Sequence, residues 1–369
     1  MDNEFDQYER VFLIENSDPT AGICLCMMFA LNGALFAKSK NWLPVVKFDN
    51  NDNPYRDLRF GNNIWDYYFE PIGGLSYDDL RLAVEQNQLD PLKVLKISDF
   101  VPPGAERGYQ FQMHFAKGIF EHFERVATFP WGRADLTGDA LQAWMLKKRQ
   151  LGRSVVTECL KPKPHILRIV EDYVAGNFAG RFVYGVQIRG TDFGYALPTR
   201  PEQYYEFLDA ALEHKPDAAI FVATDQLQLL RSFEERYGDR VISSSCRRTE
   251  GVVAPHMEDD SDNYKRGEEA LVDCLLLSRT DFLLKCAAAI GEFALYFNPD
   301  LECQDFAVQS RYTPGTKYRR EAYYRLFVDP PEPEQESDFV KRVIGRAKQA
   351  VGSIPLVGNW SRALLRSLR

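Results

Sequence analysis

An arginine and an aspartate follow directly on an apolar run near the middle of the chain. Residues 182–188 read Phe-Val-Tyr-Gly-Val-Gln-Ile, and Arg189, Gly190, Thr191 and Asp192 come next. The run predicts a buried strand, which places Arg189 at a strand's carboxyl end, where open α/β sheets bind ligands. A guanidinium offers a planar fork to two phosphate oxygens and stays charged at physiological pH. We expect Arg189 either to bind a phosphate group or to form an ion pair with Asp192 that fixes the loop.

Three further positions place polar side chains where chemistry is possible. Thr224 and Asp225 close the next apolar run, where a hydroxyl and a carboxylate can hold a ribose or a base edge. Asp273 interrupts an apolar helical pattern, and a carboxylate placed there needs either a buried cation or a ligand as its partner. His256 stands in the polar loop 254–260 and is either solvated or a general base.

Aromatic side chains cluster in a predicted loop at 62–71. Trp65, Tyr67 and Tyr68 either pack in the core or form a platform on which a sugar ring stacks. In the second interpretation these rings and the loop from Asp18 to Gly22 face an acceptor sugar.

The elements that must position these residues are those of an α/β fold. A strand at 10–14, a helix at 23–38 and a strand at 43–48 predict one unit of parallel sheet. Further helices are predicted at 108–126 and 141–178, the second of them interrupted at Pro162 and Pro164. From residue 182 onward the alternation is regular, with strands at 182–188, 218–224, 241–242 and 282–284, and helices after Pro201, after Asp225 as N-cap, and at 267–277 and 287–297. This pattern predicts a doubly wound domain.

Length and composition predict two domains and two terminal segments. We expect an N-terminal α/β domain at 1–180, a Rossmann-like domain at 181–328 and an acidic, proline-rich linker at 329–338. Residues 339–369 carry seven Lys or Arg and no Asp or Glu, in an amphipathic pattern with a tryptophan. This basic tail either binds an anionic membrane surface, packs on the domain as a helix or stays disordered.

Composition excludes several functional classes. No apolar run spans a bilayer and the acidic start lacks a secretory signal, so we expect a cytoplasmic protein, peripheral at the inner membrane face if the tail binds lipid. The net charge of −8 argues against nucleic-acid binding. Seven cysteines without a CxxC pair indicate buried thiols, and the five scattered histidines give no metal-binding spacing. We therefore expect no metal and no cofactor.

Three spaced blocks resemble GDP-fucose-dependent fucosyltransferases. They are Gly-Val-Gln-Ile-Arg-Gly-Thr-Asp at 185–192 with Pro201 and Tyr205, Val-Ala-Thr-Asp-Gln at 222–226, and Leu-Val-Asp at 271–273 with Ser278 and Asp281-Phe-Leu. The sequence is most similar to the α-1,6-fucosyltransferases that modify N-glycan cores and nodulation chitin oligosaccharides. The resemblance covers residues 182–298.

This resemblance implies two facing Rossmann-like domains, the GT-B arrangement, with the nucleotide sugar on the C-terminal one. It also implies inversion at the anomeric carbon without a metal. By resemblance, Arg189 holds the β-phosphate and Asp192 stabilises the loop or the fucose. Thr224 and Asp225 lie near the nucleoside, and Asp273 contacts the guanine or ribose.

Several positions depart from the family's pattern. Gln187 replaces a histidine, Gly190 a second arginine and Phe193 a basic residue, while Ala196 replaces the glutamate proposed as base. At the donor-binding position where a serine helps to hold the diphosphate, this chain has Ala289. The candidates for the general base are therefore Asp192 and His256. The resemblance specifies neither the acceptor nor the linkage.

The sequence thus predicts an inverting, metal-independent glycosyltransferase that moves fucose or a related sugar from a GDP-sugar to a glycan or glycolipid. Asp18, Gly22, Trp65 and Tyr68 are expected on the acceptor side. The alternatives are another nucleotide sugar on the same scaffold, a catalytically silent GDP-sugar-binding protein and a membrane-associated interaction protein.

Overall fold

The computed structural model describes residues 8–16, 18, 21–50, 52–101, 103–104, 138–191, 200–251, 253–257, 262–286 and 288–306. These residues belong to one compact unit. The predicted helix at 108–126, the linker at 329–338 and the basic tail lie outside the described residues, as do Asp192, Phe193 and Ala196.

The first sheet has three parallel strands in the order β2-β1-β3. Its strands are β1 (Val11–Glu15), β2 (Leu43–Lys47) and β3 (Val94–Lys96), and the helices of this half are α1 (Ile23–Ser39), α2 (Trp65–Tyr68) and α3 (Tyr77–Glu85). Leu13 of β1 pairs with Val45 on one side and Lys96 on the other. β1 and β2 are buried along most of their length, as expected for strands of a parallel sheet.

The second sheet has five parallel strands in the order β6-β5-β4-β7-β8. Its strands are β4 (Val183–Ile188), β5 (Ala219–Thr224), β6 (Val241–Ile242), β7 (Phe282–Lys285) and β8 (Cys303–Asp305). The helices are α4 (Gly138–Cys159), α5 (Pro164–Asn177), α6 (Pro201–His214), α7 (Leu227–Tyr237), α8 (Asn263–Leu277) and α9 (Ala289–Phe297). The predicted α/β class and the doubly wound second half are confirmed.

Helix α1 is buried on almost every side. It packs on β1 and β2 and also contacts α4, α8 and α9. At Gly33, a Cβ atom would lie 2.6 Å from Cγ1 of Ile14, so glycine allows α1 to approach β1 closely. One apolar cluster therefore contains residues of both sheets, and the division at residue 180 stays a prediction.

Among the described residues, no helix is both long and apolar enough to cross a membrane.

Candidate functional site

The candidate site lies at the carboxyl ends of β4 and β7. The chain passes from β4 to β5 and β6 on one side of the sheet, and β7 and β8 lie on the other side. β4 and β7 are therefore the strands between which the order reverses, and open α/β sheets bind ligands outside that point. Arg189 follows β4 and Cys286 follows β7, so both stand at this edge.

The Arg189 side chain is held in place and remains partly open to solvent. Its Nε donates a hydrogen bond to the carbonyl oxygen of Thr191 at 2.9 Å and lies 3.9 Å from Oδ2 of Asp225. The side chain is 24% exposed. Asp225, at the end of the neighbouring strand, is thus a carboxylate partner of Arg189, and the guanidinium is still partly accessible to solvent.

Asp225 was expected to cap α7, and this expectation is wrong. The N-cap residue is Gln226, which makes no side-chain capping bond. The Asp225 carboxylate instead accepts hydrogen bonds from the backbone N–H of Gly190 at 2.7 Å, and from the backbone N–H and hydroxyl of Thr191 at 3.3 and 2.5 Å. Asp225 therefore fixes the loop that carries Arg189, because β4 and β5 are neighbours.

Gly190 is required by close packing. A Cβ atom at this position would lie 2.5 Å from Cβ of Gln226, a fully buried side chain whose Nε2 donates to the carbonyl oxygen of Gly251 at 3.0 Å. No larger residue fits there without displacing Gln226.

Substituting Gly190 with alanine is expected to lower the free energy of unfolding by about 1–3 kcal/mol, because the extra methyl group overpacks this contact. Gly176→Ala is the matched control, since a Cβ at this helical glycine in α5 meets nothing within 4 Å. Alanine there should stabilise by about 0.5–1 kcal/mol. Urea denaturation of both variants measures the difference, and a Gly190→Ala protein as stable as the wild type would contradict the packing argument.

His256 lies in a short helical turn, Pro255–Met257, that packs against α8. The imidazole is half-buried rather than fully solvated. Burial, together with the positive charges of Arg189 and Arg266, lowers the pKa of His256 to about 4, and the carboxylate of Asp225 partly opposes this. The charges of Arg189 and Asp225 thus act on His256, and its lowered pKa favours the neutral imidazole near pH 7.

Arg266 is a residue at this site that sequence reasoning missed. It lies in the first turn of α8 and is 8% exposed. The helix was expected to begin at residue 267, which left Arg266 in the preceding loop. A cation beside a helix start was visible in the sequence, but its proximity to His256 depends on how the loop folds back on α8.

The N-terminus of α1 faces the site from the first sheet. The positive charge of Arg189 acts on the thiol of Cys24, whose pKa burial nevertheless raises to about 12. The hydroxyl of Tyr55 accepts a hydrogen bond from the backbone N–H of Ile23 at 3.0 Å. Burial raises the pKa of this hydroxyl, and the positive charge of Arg189 acts in the opposite direction. Gly22 is the N-cap residue of α1, so the end of the Asp18–Gly22 loop lies near Arg189.

Asp18 is buried within this loop. Its backbone N–H donates to Oδ1 of Asn16 at 2.9 Å, and its negative charge further raises the pKa of Cys26. The Asp18 carboxylate is therefore part of the loop's interior.

Trp65 and Tyr68 belong to the core, so the expected stacking platform is wrong for these rings. They are 2% and 0% exposed. Trp65 Nε1 donates to the carbonyl oxygen of Glu70 at 3.2 Å, and the Tyr68 hydroxyl donates to the carbonyl oxygen of Tyr264 at 2.8 Å. Tyr67 is buried as well. The exposed ring of this region is Phe60, which stacks on Tyr264 with 3.8 Å between ring centroids.

Thr224 and Asp273 are also engaged inside the protein. The Thr224 hydroxyl accepts the backbone N–H of Gln226 at 3.3 Å. Asp273 accepts the hydroxyl of Ser244 at 2.6 Å, and burial raises its pKa although Ser244 and Arg248 act in the opposite direction. The hydrogen-bond partner of Asp273 is thus a hydroxyl, with the charge of Arg248 nearby, and contact of Asp273 with a ligand stays a prediction.

Ala289 is the first residue of α9, directly after the carboxyl end of β7. The N-cap residue Ala288 makes no side-chain capping bond. The start of this helix therefore lies at the same sheet edge as Arg189.

All seven cysteines are free thiols, of which four are buried and three are partly buried. No group of three or more His, Cys, Asp or Glu side chains in the described part of the chain is arranged to hold a metal ion.

Comparison with known proteins returns fucosyltransferases among solved structures. Fucosyltransferase NodZ from Bradyrhizobium is 16% identical, covers 78% of this chain and 92% of its own, and has a TM-score of 0.45. A mutant of Arabidopsis thaliana FUT1 in complex with GDP is 13% identical over 81% of this chain and 71% of its own, with a TM-score of 0.44. POFUT1 in complex with GDP is 10% identical over 81% of this chain and 98% of its own, with a TM-score of 0.44. No protein-family model and no curated protein sequence matches the chain.

Proposed function

We propose that this chain is a glycosyltransferase that transfers fucose, or a closely related sugar, from a GDP-sugar to a glycan or glycolipid, with inversion and without a metal. The observation that carries the proposal is the guanidinium of Arg189 at the point where the strand order reverses, partly exposed and held by Thr191 and Asp225. A sugar diphosphate is a ligand that such a fork and such a sheet edge accept. The resemblance of the three sequence blocks names GDP-fucose as the donor.

In the proposed reaction, an acceptor hydroxyl attacks the anomeric carbon from the face opposite the diphosphate. The new carbon–oxygen bond forms as the bond to the diphosphate breaks, and that bond's electron pair leaves with GDP. Arg189 stabilises the negative charge as it develops, because the guanidinium is positioned before the reaction begins. His256 is neutral and accepts the hydroxyl proton. Asp192 is the other candidate base.

The acceptor is proposed to enter opposite Arg189, beside Gly22 and the start of α1. The basic segment 339–369 is proposed to bring the enzyme to an anionic membrane surface on the cytoplasmic side. Membrane binding is tested by flotation of the full chain, and of the chain without residues 339–369, with vesicles that contain phosphatidylserine. Equal flotation of both proteins would contradict the proposed role of this segment.

Donor binding is tested by a thermal shift series with GDP, GDP-fucose, GDP-mannose and UDP. A nucleotide that binds only the native state stabilises it by about 2.7 kcal/mol at a concentration of 100 Kd. We expect GDP and GDP-fucose to raise the unfolding midpoint and UDP to leave it unchanged. No shift with any guanine nucleotide would contradict the proposed donor.

A second candidate function is a silent GDP-sugar-binding protein. It is favoured by Ala196, which stands where the resembled family has a glutamate proposed as base. Assays of GDP-fucose hydrolysis and transfer separate the two functions. Tight GDP binding with no turnover of the donor would establish the silent protein.

His256→Gln should lower transfer by about 10²–10⁴-fold if the imidazole is the base. It should also change acid stability. The folded-state pKa of about 4 is below the ordinary value of 6.5, so the unfolded chain binds more protons between these values. The wild type therefore loses stability relative to the variant as pH falls through this window, by up to about 3 kcal/mol.

Urea denaturation of both proteins at pH 7 and pH 4 measures this difference. Parallel stability curves for wild type and His256→Gln would show that the imidazole titrates normally. Full transfer activity in the variant would leave Asp192 as the base.

A further inference from the structure

The ring of Phe60 is the exposed end of an aromatic stack. Phe60 is 49% exposed. One face of its ring packs on Tyr264, with ring centroids 3.8 Å apart and the planes within 11° of parallel. Tyr264 stacks in turn on the buried ring of Tyr68, with 5.4 Å between centroids. Because Tyr264 covers one face of Phe60, the exposed area of this residue belongs to the other face and to the ring edges.

The stack and the loop that carries Phe60 are fixed by hydrogen bonds. The Tyr264 hydroxyl donates to Oε2 of Glu268 at 2.8 Å. The Tyr67 hydroxyl donates to the carbonyl oxygen of Gly61 at 2.7 Å, directly after Phe60. Gly61 has a φ of 115°, which a residue with a side chain rarely adopts. Phe60 is therefore positioned before a ligand arrives, so little conformational entropy is lost on binding.

Hydrogen-bonding groups flank this ring. Arg59 donates to both carboxylate oxygens of Asp57, from Nε at 2.9 Å and from Nη2 at 2.6 Å, and its Nη2 also lies 3.3 Å from Oδ1 of Asp262. The Arg59 side chain is nevertheless 63% exposed, and its Cζ lies 5.9 Å from the centroid of the Phe60 ring. A guanidinium and a carboxylate at this distance can donate to and accept from hydroxyl groups of a ligand stacked on Phe60.

The loop that carries Phe60 connects the start of α1 to the start of α8. The Tyr55 hydroxyl accepts the first backbone N–H of α1 at 3.0 Å, and Nδ2 of Asn263 in α8 donates to the carbonyl oxygen of Arg56 at 2.8 Å. Since α8 leads into β7, its start lies on the carboxyl side of the second sheet, as Arg189 does. An acceptor that enters beside the start of α1 and extends toward α8 therefore follows this loop.

On the basis of the proposed function, we propose that Phe60 is a stacking surface for a pyranose ring of the acceptor, at a sugar other than the one whose hydroxyl reacts. The C–H groups on one face of a pyranose pack on the negative face of an aromatic ring. A neutral sugar suits this surface because the charge of Arg59 is already paired with Asp57. An anionic membrane surface would instead require cations that are not paired.

NMR titration of the wild type and of Phe60→Ala with chitohexaose, cellohexaose and maltohexaose tests this assignment. All three probes present pyranose C–H faces, so we expect the wild type to bind at least one of them. Phe60→Ala should weaken that binding about tenfold, because the stacking contact is lost. Phe60→Trp keeps an aromatic face and should bind as the wild type does. Equal affinity in Phe60→Ala and the wild type, or no binding of any probe at millimolar concentration, would overturn the assignment.

Two matched controls separate stacking from general apolar contact. Leu58 lies in the same loop and is 65% exposed but has no ring, so Leu58→Ala should bind the probe normally. Phe100 is 45% exposed and stacks on Trp42 at the other end of α1, so Phe100→Ala should also bind normally. Equal losses in Leu58→Ala and Phe60→Ala would indicate a protein partner and overturn the assignment. A wild-type dimer in sedimentation that Phe60→Ala converts to monomer would overturn it as well, because a second copy would then cover the ring.

Calorimetric titration with GDP separates failure of this assignment from failure of the proposed function. Phe60→Ala should bind GDP as the wild type does, because the stacking surface contacts the acceptor and not the donor. If both proteins bind GDP and both bind the hexasaccharide equally well, only the role of Phe60 is refuted. A wild type that does not bind GDP would contradict the proposed function itself.

Discussion

Replacing Arg189 with methionine is expected to lower the rate of sugar transfer about 10²–10³-fold and to leave the fold in place. The rate should fall because Arg189 offers a fixed cationic fork to the departing diphosphate at the end of β4. The fold should persist because the side chain lies beyond the sheet, 24% exposed. The loop would still be held by the hydrogen bonds from Gly190 and Thr191 to Asp225.

Arg279→Met is the matched control for this substitution. Arg279 precedes β7, at the opposite edge of the same sheet, and its Nη2 lies 2.6 Å from Oε1 of Glu171. The substitution Arg279→Met removes a guanidinium from an ion pair outside the candidate site, so the rate of transfer should be unchanged. Transfer from GDP-fucose and the unfolding midpoint are measured for both variants. An Arg189→Met protein that folds and retains most of its transfer rate would refute the role of the guanidinium.

The position of Arg189 could be predicted because it depends on local pattern. Apolar runs at 182–188 and 218–224 define two strands, and any residue that follows such a run lies at a strand end. In parallel strands those ends meet at one edge of the sheet, so Arg189 and Asp225 both lie at that edge. The sequence did not show that Asp225 accepts the N–H of Gly190, since that bond depends on the register of β4 and β5.

The predictions that failed concern long-range packing. Aromatic side chains such as Trp65 and Tyr68 occur both in protein cores and on surfaces that bind sugars. The contact of Tyr68 with Tyr264, which is far along the chain, makes Tyr68 part of the core. The strands β3 and β8 were missed because each has only three residues and no continuous apolar run. Arg266 was missed for a related reason, because its proximity to His256 requires the loop after β6 to pack against α8.

A buried charge cluster, which sequence reasoning also missed, connects α4 to the second sheet. Its members are Arg149, Lys285, Glu292 and Asp305. Lys285 is fully buried, with Nζ 3.1 Å from Oδ2 of Asp305 and 3.2 Å from Oε2 of Glu292. Nη2 of Arg149 lies 2.7 Å from the same oxygen of Asp305. Burial alone would lower the pKa of Lys285, but Asp305 and Glu292 outweigh it and the pKa is raised, so the ammonium stays charged.

Lys285→Met is expected to lower the free energy of unfolding by about 3–5 kcal/mol, because two buried carboxylates would then share the single guanidinium of Arg149. Adding Asp305→Asn restores the balance of charge between Arg149 and Glu292, so the double variant should recover part of the loss. Lys47→Met is the matched control, since Lys47 also lies between two carboxylates, Glu15 at 3.3 Å and Asp49 at 3.2 Å, but is 20% exposed. Lys47→Met should lower the free energy of unfolding by at most about 1 kcal/mol, because water screens its ion pairs. Urea denaturation measures all three variants, and similar losses for Lys285→Met and Lys47→Met would show that burial adds nothing to the cluster.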